Sequence, residues 1–304
     1  MIIERLVETF IRTLDREITE IVYILGPDFG NQIKDDLTAM SSRHNVKATF
    51  RVQESALGTA HAVYCAKNDL DGEVIVAFAD TLFDSKDTFN IEDADSVIWL
   101  KKVEDPSRFG VAVYDGKRIT GFVEKPEEFI SDLAIIGVYY FKDGVGLLTE
   151  LQRIMDEDIQ GPGGEYFLTE ALDNMINNGK LFKTATVDEW LDCGTLPAWL
   201  ETTGEILDKE NHSFDATKYP NTSIIPPVFI GEGVSIEGST IGPKVSIEAG
   251  TTIKKSTISN TIIRESSEIS DTETEGSTIG AFAQVNNVSG KIDIGDHSIV
   301  TIQK

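Results

Sequence analysis

Basic residues are scarce in this chain. Lys and Arg total 27 against 51 Asp and Glu, a formal net charge of −24 over 304 residues. Nucleic-acid binding usually needs a basic footprint, so this balance argues against that class of partner. It argues against an anionic membrane surface on the same ground. An anionic substrate must then be met by local cations or a metal ion. Cysteine is almost missing: Cys65 and Cys193 lie among apolar neighbours without metal-ligand spacing. That suits a reducing, cytoplasmic compartment rather than a disulfide framework. No apolar run of about 18 residues is present, so no membrane span is expected. Met1-Ile2-Ile3-Glu4-Arg5 lacks the basic-then-apolar order of a signal peptide.

What is present divides the chain in two. Ile2, Ile3, Leu6, Val7, Phe10, Ile11 and Leu14 recur at helical spacing over residues 1–16. Ile21 to Leu25, stopped by Gly26-Pro27, reads as a buried strand. Residues 28–43 read as helix, 47–52 as strand, 59–68 as helix and 74–79 as a strand ending at Asp80. Helix and strand alternate with short connections. This predicts an α/β domain with a mostly parallel sheet covered on both faces. Ligands of such sheets bind beyond the carboxyl ends of the strands, where Asp80 falls.

After about residue 205 the texture changes. Isoleucines stand at 224, 230, 236, 241, 247, 253, 258, 263 and 269, in steps of five or six. Ile-Gly pairs recur at 230–231, 241–242, 279–280 and 294–295. A hexapeptide period predicts a β-helix with three short strands per coil and the isoleucines stacked inside. The expected division is 1–205 for the α/β domain, 206–222 for a linker and 223–304 for the β-helix.

Two aspartates from distant positions attract attention, Asp80 and Asp192. Mg²⁺ prefers one or two carboxylates plus substrate phosphate oxygens. Lys125, in Glu124-Lys125-Pro126, supplies a cation for a phosphate. Gln53, followed by Gly58, Thr59 and a helix, offers both a donor and an acceptor for a base edge, and Gly58 permits close backbone approach. Each residue also has a plainer reading. Asp80 could cap a following helix, Asp192 could form a turn, Lys125 could be a solvated loop lysine, and Gly58 could serve an ordinary strand–helix turn. Trp99, Trp190 and Trp199 read as packing.

The ordered set is more specific than any member. It runs Gln53…Leu57-Gly58-Thr59-Ala60-His61-Ala62, Phe78-Ala79-Asp80-Thr81-Leu82-Phe83 and Phe122-Val123-Glu124-Lys125-Pro126. It continues with Ile136-Gly137-Val138-Tyr139-Tyr140-Phe141, Gly164-Glu165-Tyr166-Phe167-Leu168-Thr169-Glu170-Ala171 and Trp190-Leu191-Asp192-Cys193-Gly194-Thr195. Together these segments resemble the sugar-1-phosphate nucleotidyltransferase family. The resemblance implies a Rossmann-like nucleotidyltransferase domain followed by a left-handed parallel β-helix. It implies transfer of a nucleotidyl group from a nucleoside triphosphate to a sugar 1-phosphate, with pyrophosphate released and Mg²⁺ as cofactor. By motif, Asp80 and Asp192 would hold the metal, and Lys125 would neutralise the sugar phosphate. Glu124 would bond sugar hydroxyls, with Gly110 and Gly137 lining the sugar pocket. Gln53, Gly58 and Thr59 would meet the nucleotide.

The chain departs from the family at its start. The opening strand and its Gly-x-Gly-x-Arg-Leu-x-Pro loop, which cradles the triphosphate, have no counterpart. Residues 1–8 resemble the helix that follows that loop. If the sequence is complete, weak or no transferase activity is the expectation. The alternative is a truncated chain or an impaired paralogue that acts as a nucleotide-sugar-binding or regulatory subunit. A hexapeptide acyltransferase is a third reading, but it needs a base histidine in the repeats, and His212 and His297 lie in the linker and near the C-terminus. A homo-oligomer is expected, because an exposed β-helix end or face commonly docks to another subunit.

Overall fold

A computed structural model describes residues 2–86, 89, 91, 93–210 and 212–302. The chain forms two compact units, Met1–Trp190 and Leu191–Lys304.

The first unit opens with α1 (Ile2–Thr13), β1 (Glu20–Leu25), α2 (Asn31–Arg43), β2 (Lys47–Val52) and α3 (Thr59–Tyr64). It continues with β3 (Val74–Ala77), β4 (Thr81–Asp84), β5 (Ser96–Lys102), β6 (Gly110–Tyr114), β7 (Ile119–Glu124) and β8 (Leu133–Phe141). Then come α4 (Gly144–Asp156), α5 (Leu168–Asn177), β9 (Phe182–Thr186) and β10 (Glu189–Asp192), whose last two residues belong to the second unit. The helix expected at 59–68 stops at Tyr64, and the strand expected at 74–79 stops at Ala77.

The main sheet has the order β7-β6-β8-β5-β9, with β3 also paired to β8. β8 is antiparallel to β3, β5 and β6, and β5 is parallel to β9. Strands β3, β5, β6 and β9 therefore point one way. Residues 96–100 of β5 are all buried, because the sheet is covered on both faces. Strand alternation sends Ile98 and Leu100 to one face, where they join Tyr139 and Phe141 against Val63 of α3, Leu147 and Leu151 of α4 and Leu172 of α5. Trp99 points to the other face and meets Phe89 edge-on at 5.0 Å. Phe89 leads through Phe83 to Phe10 of α1. Trp99 is thus a packing residue.

β1 and β2 form a separate parallel pair in register from Glu20↔Lys47 to Leu25↔Val52. Helix α1 packs on two sides: Val7 clusters with Tyr23 of β1 and with Leu37 and Met40 of α2, and Phe10 packs on Phe83 of β4. Only Tyr23 of β1 is fully buried, and no residue of β3 is, although both strands are almost wholly apolar. Among the described residues no strand joins β1 to β3.

The second unit contains α6 (Leu196–Lys209), whose cap Thr195 accepts from the Ala198 N–H at 3.3 Å. Three parallel sheets follow, built from two- and three-residue strands. Ile236, Ile253, Ile269, Val285 and Val300 pair in succession, so a coil takes 15 to 17 residues. Three full hexads would take about 18, and the five-residue steps in the isoleucine ladder account for the shorter coil. The first four of these side chains are 2 % exposed or less. Small polar residues do structural work at one corner. The hydroxyls of Ser239 and Ser256 accept from the N–H of Ser256 and Thr272, one coil onward, at 3.1 and 3.2 Å. Each also donates to a carbonyl of its own coil. These buried backbone groups are satisfied by side chains where the ladder turns.

Candidate functional site

The residues singled out in the first unit gather around the ends of β2, β3 and β7 and the start of α5. Gln53 follows β2, and its backbone N–H donates to Leu25 O at 2.8 Å. Its side-chain Nε2 lies 3.2 Å from Gly58 O and 3.0 Å from His61 Nδ1. Residues 54–57 between them are exposed.

Gly58 begins α3 with φ +102. A Cβ there would lie 2.5 Å from Tyr166 O and 2.8 Å from Tyr166 N, so only glycine is accommodated. The close approach is held by Tyr166 N–H to Leu57 O and Ala60 N–H to Tyr166 O, both 2.8 Å. Thr59 Oγ1 accepts from the Leu168 N–H at 2.9 Å, in the first turn of α5. Thr59 thereby ties two segments together, a role its spacing did not announce.

Glu124 ends β7 directly opposite Gly110 of β6. Its Oε2 accepts a hydrogen bond from Thr169 Oγ1 at 3.1 Å. Burial pushes the Glu124 carboxyl above its ordinary value. The Thr169 bond and the charge of Lys125 pull the other way, and the charge of Glu165 adds to the rise. A Cβ on Gly110 would stand 2.9 Å from Glu124 Oε2 and 3.2 Å from Thr169 Cγ2. Glycine at 110 therefore keeps this pair undisturbed. Lys125 has φ +41, its N–H donates to Phe109 O at 3.1 Å, and its Nζ stands 5.3 Å from the centre of the Phe167 ring. The turn lifts an exposed ammonium beside a half-buried carboxylate.

Asp80 is exposed in the turn between β3 and β4, where Thr81 N–H reaches Phe78 O at 3.4 Å. A strand follows it, which removes the helix-cap reading. Gly137 lies within β8 and its carbonyl accepts from the Phe78 N–H at 3.0 Å. Phe78 in turn meets the buried Tyr139 edge-on at 5.9 Å. Burial raises the Tyr139 phenol far above its ordinary value, and the charges of Glu124 and Asp80 raise it further. Asp80, Glu124 and Tyr139 therefore share one electrostatic neighbourhood. Trp190 Nε1 donates to Thr81 Oγ1 at 2.8 Å, and its ring meets Phe109 at 5.0 Å. It braces the residue next to Asp80 and the one that bonds Lys125.

Asp192 belongs to the second unit. Its Oδ1 accepts from the Gly194 N–H at 2.8 Å, and its carbonyl accepts from Thr202 Oγ1 at 2.7 Å. The turn-forming role of Asp192 is thus real, and one carboxylate oxygen takes part in it.

The sequence alone assigned Thr169, Tyr139, Trp190 and His61 no role in the site. Thr169 lay inside a quoted motif, but a helical threonine gives no sign of which carboxylate it reaches. Chemically, the arrangement in the first unit offers a half-buried carboxylate with a hydroxyl donor, a neighbouring ammonium, an exposed carboxylate and a glycine-tight loop beside an amide.

The comparisons with known proteins agree with this chemistry. Residues 2–209 match the family model described as nucleotidyl transferase. The chain is 29% identical to the glucose-1-phosphate thymidylyltransferase of Streptomyces antibioticus, covering 94% of this chain and 87% of that protein. It is 31% identical to the bifunctional protein GlmU of Methanococcus maripaludis over 76% of this chain and 54% of that one, so it spans about half of that relative. A solved UDP-glucose pyrophosphorylase, complexed with UDP-glucose, superposes with a TM-score of 0.56 at 19% identity, over 69% of this chain and 87% of that chain. That likeness concerns the fold.

Proposed function

This chain belongs to the nucleotidyl transferase family, and we propose that it transfers a nucleotidyl group from a nucleoside triphosphate to a sugar 1-phosphate, releasing pyrophosphate. The observation that carries this reading is Glu124 beside Lys125, with Gly110 opposite and Thr169 on the carboxylate. A carboxylate with a hydroxyl donor suits sugar hydroxyls, and an ammonium suits the phosphate of the same molecule. Such a reaction needs no side-chain nucleophile. Holding the phosphate oxygen near the α-phosphorus contributes on the order of 7–11 kcal/mol of barrier lowering. Lys125 offsets the repulsion between the two anionic substrates.

Asp80 and Asp192 are proposed as ligands of Mg²⁺, which would draw charge from the triphosphate when bound. The donor set supports the assignment. Both are aspartates, hard oxygen donors, and Asp80 is exposed at a turn rather than committed to a helix cap. Gln53 and Gly58 are assigned to the nucleotide, and Gly137 to the sugar side. We assign the reaction to residues 1–205, with 206–222 as linker and 223–304 as the β-helix. A homo-oligomeric, cytoplasmic enzyme is the accompanying proposal.

One observation favours a second reading, a nucleotide-sugar-binding or regulatory subunit on this fold. The apolar strands β1 and β3 stay half-exposed, and no described strand joins them. A panel of triphosphates and sugar 1-phosphates with Mg²⁺ and pyrophosphate detection separates the two. Pyrophosphate release that needs both substrates supports transfer. Tight binding of a nucleotide-sugar without turnover of any pair supports the subunit.

A further inference from the structure

Helix α1 carries Glu4 and Glu8 four residues apart, on one face. His44 directly follows α2, and its backbone N–H donates to Ser41 O at 3.0 Å. The packing of Val7 with Leu37 and Met40 brings that end of α2 beside the two carboxylates. One ligand atom from each of the three residues lies within 4.8 Å of the other two. His44 Nε2 is buried and has no hydrogen-bond partner among the described residues. It stands 3.9 Å from Glu4 Oε1, too far for a hydrogen bond. Two ligands of one tetrahedral zinc ion, each about 2.1 Å from it, lie about 3.4 Å apart. The ring nitrogen and the carboxylate are therefore near the spacing that a shared ion imposes. Two carboxylates one helical turn apart also repel each other unless a cation joins them.

We infer that Glu4, Glu8 and His44 form a binding site for a divalent transition metal of the zinc class, which ties α1 to the end of α2. One imidazole with two carboxylates is a donor set that zinc takes, whereas magnesium and calcium keep to oxygen. Three protein ligands leave a fourth position for water. The ion takes the Nε2 lone pair of His44, and the ring proton then resides on Nδ1. Arg43 also serves Glu4: its Nε donates to Oε1 at 3.1 Å, and its Nη2 donates to the same oxygen. A carboxylate has a second oxygen and about four lone-pair sites in all, so the arginine need not be displaced. The two glutamates balance the two charges of the ion. The site lies apart from the residues assigned to nucleotidyl transfer, and its role is to hold two helices together.

The test is calorimetric titration of the full chain with Zn²⁺ after treatment with a chelator. It is done in an Asp80→Asn, Asp192→Asn background, so that the proposed Mg²⁺ ligands do not contribute. One Zn²⁺ should bind per chain and raise its melting temperature. His44→Ala and Glu8→Gln should each weaken binding by more than about tenfold and remove the rise in melting temperature. Glu8 is exposed, so Glu8→Gln should leave the metal-free melting temperature unchanged. Absence of Zn²⁺ binding, or binding of undiminished strength in either folded variant, overturns the inference and leaves the transferase reading standing. Should His44→Ala fail to fold, Glu8→Gln decides: binding weakened more than about tenfold supports the inference, and undiminished binding overturns it.

Discussion

Thr169 Oγ1 donates to Glu124 Oε2 across 3.1 Å, joining the first turn of α5 to the end of β7. That bond opposes the burial that raises the Glu124 carboxyl. Removing the hydroxyl should let the carboxyl rise further. In Thr169→Val, glucose 1-phosphate should bind more weakly at neutral pH, by roughly tenfold for a lost bond to a charged group. Its binding should strengthen with pH along a profile shifted upward from wild type. Thr169→Ser should restore both. Calorimetric titration across pH checks this.

The same carboxyl makes a stability prediction. Its folded-state value lies above the ordinary one, so the folded protein holds that proton more tightly than the unfolded chain. Its contribution is fully favourable below the ordinary carboxylate range and is lost as pH rises through the raised value. Glu124→Gln, which is always neutral, should melt higher than wild type at pH 8, and the difference should shrink towards pH 4. Differential scanning calorimetry at the two pH values reads the sign.

Gly58→Ala should destabilise the first unit by about 1–3 kcal/mol or more, because φ +102 is strained for alanine and the new Cβ would press on Tyr166. The two hydrogen bonds between residues 57–60 and Tyr166 should open first. Hydrogen exchange at the amides of Ala60 and Tyr166 would report it ahead of global unfolding.

In the β-helix, Ser256→Ala should cost about 1–3 kcal/mol, since the Thr272 N–H loses its acceptor in a buried corner. Ser235→Ala, at an exposed strand position, should stay within about 0.5 kcal/mol. Urea unfolding of the two variants makes the comparison.

Much of this was legible in the sequence because period is a local property. The isoleucine steps disclosed the β-helix and its stacked interior. The apolar runs disclosed β1, β2, β3 and their helices, though α3 and β3 ended earlier than the runs suggested. The ordered motifs brought Gln53, Gly58, Gly110, Glu124 and Lys125 into view. The contacts that tune them were not legible, because they join residues far apart in the chain. Nothing local tells that Thr169 reaches Glu124, that Trp190 braces Thr81, or that Thr59 caps α5. The hydroxyl ladder of Ser239 and Ser256 was hidden for a similar reason. In sequence those residues look like filler between isoleucines, and only stacking shows which N–H each one serves.

The most direct test of nucleotidyl transfer follows the α-phosphorus. The chain is incubated with Mg²⁺, glucose 1-phosphate and a triphosphate labelled at that atom, UTP and dTTP being tried in turn. The label is predicted to appear in a nucleotide-sugar, with unlabelled pyrophosphate released and no label transferred by Asp192→Asn. Label confined to the triphosphate or passing only to nucleoside monophosphate, or full transfer by Asp192→Asn, would contradict the account.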